Sequence, residues 1–111
     1  MTLDSSAAIV IAGAGSVGSH VGARLALAGR DVTLLLREPL AAAIAQHGLR
    51  VSDLEGRDET VSPESLELTS DPATAFRSAD IVLVTVKSRD TAAMAQLIAQ
   101  YAPKGAIVVS L

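Results

Sequence analysis

Apolar positions along this 111-residue chain fall into two rhythms. Four short runs carry almost no polar interruption: AAIVIA at 7–12, DVTLLL at 31–36, DIVLVTV at 80–86 and GAIVVSL at 105–111. Such runs predict strands covered on both faces, because a strand with one wet face alternates instead. Between them the spacing is helical. Val17, Val21, Leu25 and Ala28 share one face of a helix that Gly29 can stop. Pro39 suits a first helical turn, and the helix that follows runs to a stop at Gly48. Asp71 can cap a short helix from Pro72 to about Arg77. Met94, Leu97, Ile98 and Tyr101 form an apolar stripe on a last helix, closed by Pro103 and Gly105. Alternation of strand and helix predicts a parallel sheet of at least four strands with right-handed crossovers.

Residues 49–70 break this rhythm. They alternate apolar and polar around the charged EGRD at 55–58, which predicts one or two short strands joined by a surface hairpin. The carboxylates here (Asp53, Glu55, Asp58, Glu59, Glu64, Glu67) have no ligand-loop spacing and read as a solvated face rather than a metal site.

Composition narrows the picture. The length suits one domain with one core. Phe76 and Tyr101 are the only aromatic residues, so the core is expected to be aliphatic. Scarce aromatics and a net charge of −3 argue against a nucleic-acid partner. Without cysteine there is no disulfide or thiolate metal site. The N-terminal MTLDSSAA has no basic segment, and the apolar run after it is too short for a signal peptide or a membrane span. A soluble cytoplasmic protein is expected.

The first apolar run opens directly into Gly13-Ala14-Gly15-Ser16-Val17-Gly18, a G-x-G-x-x-G between a strand and a helix. Each glycine has a physical task in dinucleotide binding: Gly13 for the sharp turn, Gly15 for close approach of a pyrophosphate, Gly18 for packing of helix on sheet. The helix beginning near Ser16 aims free N–H groups and its positive dipole end at phosphate. Gly22, four residues past Gly18, reads as a second point of close helix–sheet packing.

Nineteen residues after Gly18, the second strand is expected to end at Arg37. An acid near this place binds the ribose hydroxyls of NAD, whereas an arginine accommodates the 2′-phosphate of NADP. Arg37 favours NADP, and the adjacent Glu38 leaves NAD as the alternative. Lys87 follows the strand ending at Val86, at the sheet edge where ligands lie; by itself it reads equally as a ligand group or a solvated turn residue. His20 and His47 lack a partner motif and read as surface residues.

These residues together resemble a known family. AGAGSVGSHVGARLALAGRDVTLLLRE at 12–38, GLRV at 48–51, ADIVLVTVKSRDT at 79–91 and GAIVVSL at 105–111 look like the N-terminal half of ketopantoate reductases, the NADPH-dependent 2-dehydropantoate 2-reductases of pantothenate synthesis. The likeness covers nearly the whole chain, and the VK after the fourth strand is more specific than the glycines. It implies a Rossmann-type, doubly wound, mainly parallel α/β sheet with helices on both faces, residues 1–111 forming one NADP-binding domain. By the same resemblance Gly13, Ala14, Gly15, Ser16, Val17 and Gly18 hold the pyrophosphate, Arg37 the 2′-phosphate, and Lys87 stands beside the nicotinamide. Family members continue into a QNG-like turn whose Asn joins the active site, then a helical domain with a general-acid Lys and a substrate-binding Glu. This chain stops at Leu111, where that turn would begin. It is therefore expected to bind cofactor, to carry no catalytic residue of its own, and to leave the keto acid to a full-length parent. Apolar surface at the last strand is expected to drive self-association. Two alternatives remain: a non-enzymatic NAD(H)-sensing domain, against which Arg37 and the VK pattern speak, and a reductase of another 2-keto acid.

Overall fold

The uninterrupted apolar runs lie side by side. The computed structural model describes residues 7–13, 16–52, 58–86 and 90–110. Its main sheet joins β1 (Ala8–Ala12), β2 (Asp31–Leu35), β5 (Glu67–Thr69), β6 (Ile81–Val84) and β7 (Ile107–Ser110) in the order β5-β2-β1-β6-β7. All four pairings are parallel. Among the described residues, four α-helices and a short 3-10 helix (Pro63–Ser65) lie between the strands: α1 (Ser16–Leu27), α2 (Glu38–His47), α3 (Pro72–Phe76) and α4 (Thr91–Tyr101). The chain builds outward from β1 to β2 and β5, then crosses back through α3 to β6 on the other flank of β1. The strand order therefore reverses between β1 and β6, the place where open α/β sheets hold ligands.

Two cores explain why β1 has no polar residue. Ile9 and Ile11 face one core with Val32, Leu34, Ala23 of α1 and Ile44 of α2. Val10 and Ala12 face the other, with Val82, Val84, Phe76 of α3 and Ile98 of α4. A strand covered on both faces must be apolar at successive positions. The second core corrects the expectation of an all-aliphatic interior. Phe76 is fully buried and is the largest side chain so enclosed among the described residues. Ala75 of α3 and Ala79 just after it are buried in the same core as this ring, which the composition alone could not place.

Residues 49–70 supply three strands rather than one or two. β3 (Leu49–Ser52) and β4 (Asp58–Val61) form the expected antiparallel hairpin, pairing Leu49 with Val61, which is buried in the first core. Beyond it β5 joins the edge of the main sheet, pairing Glu67 with Thr33. Its three residues, Glu-Leu-Thr, alternate polar and apolar types, so it blends into the hairpin's pattern.

Helix ends follow local chemistry. The Asp71 side chain accepts the Ala73 N–H at 3.2 Å and the Thr74 hydroxyl at 2.7 Å, starting α3 where expected. At the end of α1, Gly29 (φ 83°) and Arg30 donate back to Ala26 and Leu25, both at 3.0 Å, closing the helix in a Schellman motif. Ala28 thus falls outside α1 and is exposed, whereas Gly22 and Ala23 are buried. In α4, Met94, Leu97 and Ile98 pack on the second core, while Tyr101 is exposed at the last turn. That helix ends at Ala102, whose extended backbone is the conformation favoured before Pro103.

Candidate functional site

At the carboxyl edge of the sheet, backbone hydrogen bonds bring together the described residues around Gly13, at the ends of β1, β2 and β6. Ala12 pairs with Leu35 on one side and Val84 on the other, so β1, β2 and β6 end at one level. The Gly13 N–H donates to the Leu35 carbonyl at 3.1 Å, and the Leu36 N–H to Thr69 at 3.0 Å. The Thr85 N–H donates to Ala12 at 3.1 Å.

Gly13 takes φ 80°, the left-handed region that a side chain resists, and a Cβ there would run into Val86 Cγ1. The strand thus turns sharply under α1. A Cβ on Gly18 would sit 2.5 Å from Thr85 Oγ1 and 2.9 Å from Ile11 Cγ2. One on Gly22 would sit 2.6 Å from Leu34 Cδ2. Both glycines let α1 lie directly on β1 and β2, with its N-terminus at the carboxyl edge. Ser16 and Val17 open that helix, while Ala14, Gly15 and Lys87 lie outside the described residues.

Arg37 is displaced from its expected role as a strand end. β2 stops at Leu35, because the Arg37 carbonyl already accepts the N–H groups of Leu40 and Ala41 and begins α2. Its side chain is exposed and makes no capping hydrogen bond to α2. β6 likewise ends at Val84, two residues before Val86, whose side chain lies against Gly13. Arg37 and Val86 nonetheless remain at the same edge as Gly13. His20 and His47 are exposed on α1 and α2.

Two features of this edge were not anticipated. The Glu38 carboxylate accepts the Ser70 hydroxyl at 3.2 Å, which ties it to the end of β5. The Thr85 hydroxyl reaches both the Ala12 and the Gly13 carbonyls at 3.1 Å. In sequence Thr85 reads as one more β-forming residue in an apolar run; only its place just past the strand end, opposite the glycine motif, could have marked it.

A turn packed so closely that Gly13 and Gly18 admit no side chain, with a helix N-terminus beside it, is the arrangement by which open α/β sheets take a dinucleotide's diphosphate, and the exposed Arg37 follows the neighbouring strand. The fold and this edge define a Rossmann-type α/β domain. Residues 9–111 match the family described as ketopantoate reductase PanE/ApbA, and the chain belongs to that family. It is 40% identical over 92 residues to the 2-dehydropantoate 2-reductase of Archaeoglobus fulgidus, covering 83% of this chain and 28% of that protein. It is 38% identical over 104 residues to a glycerol-3-phosphate dehydrogenase [NAD(P)+] of Corynebacterium aurimucosum, covering 93% of this chain and 30% of that one. The crystal structure of a PanE/ApbA family ketopantoate reductase from Ralstonia eutropha JMP134 superposes with a TM-score of 0.82 at 39% identity, over 93% of this chain and 33% of its own. The chain thus spans about three tenths of the length of the curated relatives it matches. Among the described residues, no helix is long and apolar enough to cross a membrane.

Proposed function

We propose that this chain is the NADP(H)-binding part of a cytoplasmic reductase whose substrate is a 2-keto acid, ketopantoate by family. When bound, the cofactor supplies the hydride. The residues here grip it: Gly13 to Gly18 at the pyrophosphate, Arg37 at the 2′-phosphate and Lys87 toward the nicotinamide. One observation carries the choice of NADP over NAD. Past the end of β2 both Arg37 and Glu38 are exposed, but the Glu38 carboxylate, the group that would select NAD, accepts the Ser70 hydroxyl at 3.2 Å. A planar guanidinium pairs with phosphate in two hydrogen bonds at once.

The substrate acids and bases are assigned to the remainder of a full-length parent, so this chain alone binds NADPH without turning over ketopantoate. The likeness to a glycerol-3-phosphate dehydrogenase [NAD(P)+] over 93% of this chain supports a second substrate reading.

Arg37→Ala tests the cofactor reading. Losing a hydrogen-bonded phosphate pair costs about 1.5–3 kcal/mol. That weakens NADPH roughly 10- to 150-fold in a fluorescence titration, with NADH nearly unchanged. Equal losses for both cofactors would overturn the assignment.

A further inference from the structure

We infer that Thr85 is a positioning residue for the glycine loop: its hydroxyl, bonded to the Ala12 and Gly13 carbonyls, fixes how the chain enters the loop and thereby sets the grip on a dinucleotide's pyrophosphate. This rests on the cofactor reading above, and it concerns a residue outside the glycine motif that is bonded to its entry. The Thr85 hydroxyl lies 3.1 Å from the Ala12 carbonyl oxygen and 3.1 Å from that of Gly13. A hydroxyl has one hydrogen, so a single donor is shared between the last residue of β1 and the first glycine. The Ala12 carbonyl also accepts the Thr85 N–H at 3.1 Å. Residue 85 is thus bonded to the loop's entry through both backbone and side chain, across the line where the strand order reverses.

Gly18 is shaped around this contact. A Cβ at Gly18 would stand 2.5 Å from Thr85 Oγ1, so the third glycine leaves the space that the hydroxyl occupies. The side chain that faces Gly13 belongs to the next residue, Val86. Gly13 sits at φ 80°, where a residue without a side chain has the most freedom to lose. A peptide unit is planar, so a carbonyl held in place also fixes the amide sharing its plane. Binding to donors that are already fixed avoids the ordering cost of a mobile loop.

The test compares two substitutions and two probes. Thr85→Val keeps the shape and removes the donor, whereas Thr85→Ser keeps the donor. NADPH spans the loop; 2′-AMP carries only the phosphate assigned to Arg37. Thr85→Val is expected to weaken NADPH about tenfold, the factor that corresponds to about one hydrogen bond. Its 2′-AMP affinity, read by ligand-observed NMR, should stay at the wild-type value. Thr85→Ser should bind NADPH within about twofold of wild type, and a loss of about tenfold there would overturn the inference even if the valine variant failed to fold. Wild-type NADPH affinity in a folded Thr85→Val would also overturn it, as would equal losses of both probes, which mark a merely structural role. If the wild-type chain binds neither probe, the cofactor reading itself fails, and that result is distinct from the others.

Discussion

Gly18→Ala is the sharpest test of how α1 is seated. Gly18 is the third residue of α1, and its added methyl would meet Thr85 Oγ1 at 2.5 Å, Ile11 Cγ2 at 2.9 Å and Thr85 Cβ at 3.3 Å. Neither neighbour can withdraw freely. Ile11 is fully buried in the middle of the sheet, and Thr85 is held by its bonds to Ala12 and Gly13. Crowding of this kind in a packed core costs about 1–3 kcal/mol. Against it stands the helix preference for alanine over glycine, about 1 kcal/mol in a helix interior and less in a first turn. The net expectation is a loss of about 1–2 kcal/mol, or roughly 4–8 °C in melting midpoint for a chain of this size. Gly105→Ala is the control, because no atom lies within 4 Å of a Cβ built there, so its midpoint should not fall. The measurement is thermal denaturation followed by circular dichroism for both variants. Repeating Gly18→Ala in a Thr85→Ala background should recover part of the loss, since the nearest of the crowding atoms is gone while Ile11 remains. A Gly18→Ala protein that melts at or above wild type would refute the close approach of α1 to the sheet.

Phe76→Ala removes the largest enclosed side chain of the second core and should cost about 3–5 kcal/mol, measured by urea denaturation; a loss below about 1 kcal/mol would mean the core closes over the gap. The Thr74 hydroxyl, with help from the Ala73 N–H, holds the Asp71 carboxyl below its ordinary value of 3.8. The folded form therefore prefers the carboxylate, and the cap's contribution is complete above that value and lost as the pH falls through the lower, folded one. The midpoint difference between wild type and Asp71→Ala should accordingly shrink in acid, and a difference constant with pH would contradict the cap. Val108 and Val109 are 49% and 40% exposed on β7, the last strand of the sheet order, and this chain is expected to self-associate with rising concentration in light scattering. Val108→Lys should reduce the effect, whereas a wild-type chain that scatters as a monomer throughout removes the basis for it.

What the sequence made legible follows from how much of each element is enclosed. β1, β2 and β6 announce themselves because two cores demand apolar residues at successive positions, as Ile9, Val10, Ile11 and Ala12 show. β5 does not, because at three residues on the edge only Leu68 packs inward. Phe76 escapes because a lone aromatic on a five-residue helix carries no periodic signal. β2 and β6 end two residues before Arg37 and Val86, where the apolar pattern places their ends, since the backbone bonds that end a strand leave no mark on residue type. The glycine motif was legible because Gly13 and Gly18 answer steric demands of backbone and helix packing. Thr85, whose role is one shared hydrogen, was not.

The assembly of the edge is a consequence of the core rather than of the loop. Ala12 pairs with Leu35 and with Val84, so the residues that follow, Gly13, Leu36 and Thr85, leave the sheet together. That register is held from the opposite end as well: the Asp80 N–H donates to the Ala8 carbonyl at 2.9 Å, its carboxylate accepts the Ala8 N–H at 2.8 Å, and its carbonyl accepts the Ile107 N–H at 2.9 Å. Slipping β6 by one residue would exchange its two faces, turning Val82 and Val84 out of the second core and moving the Thr85 hydroxyl away from Gly13. The packing of two valines and the placing of one hydroxyl are thus the same constraint. A chain that keeps the core of β6 has already brought Thr85 to the glycine motif and the strand beside it to the level of Arg37.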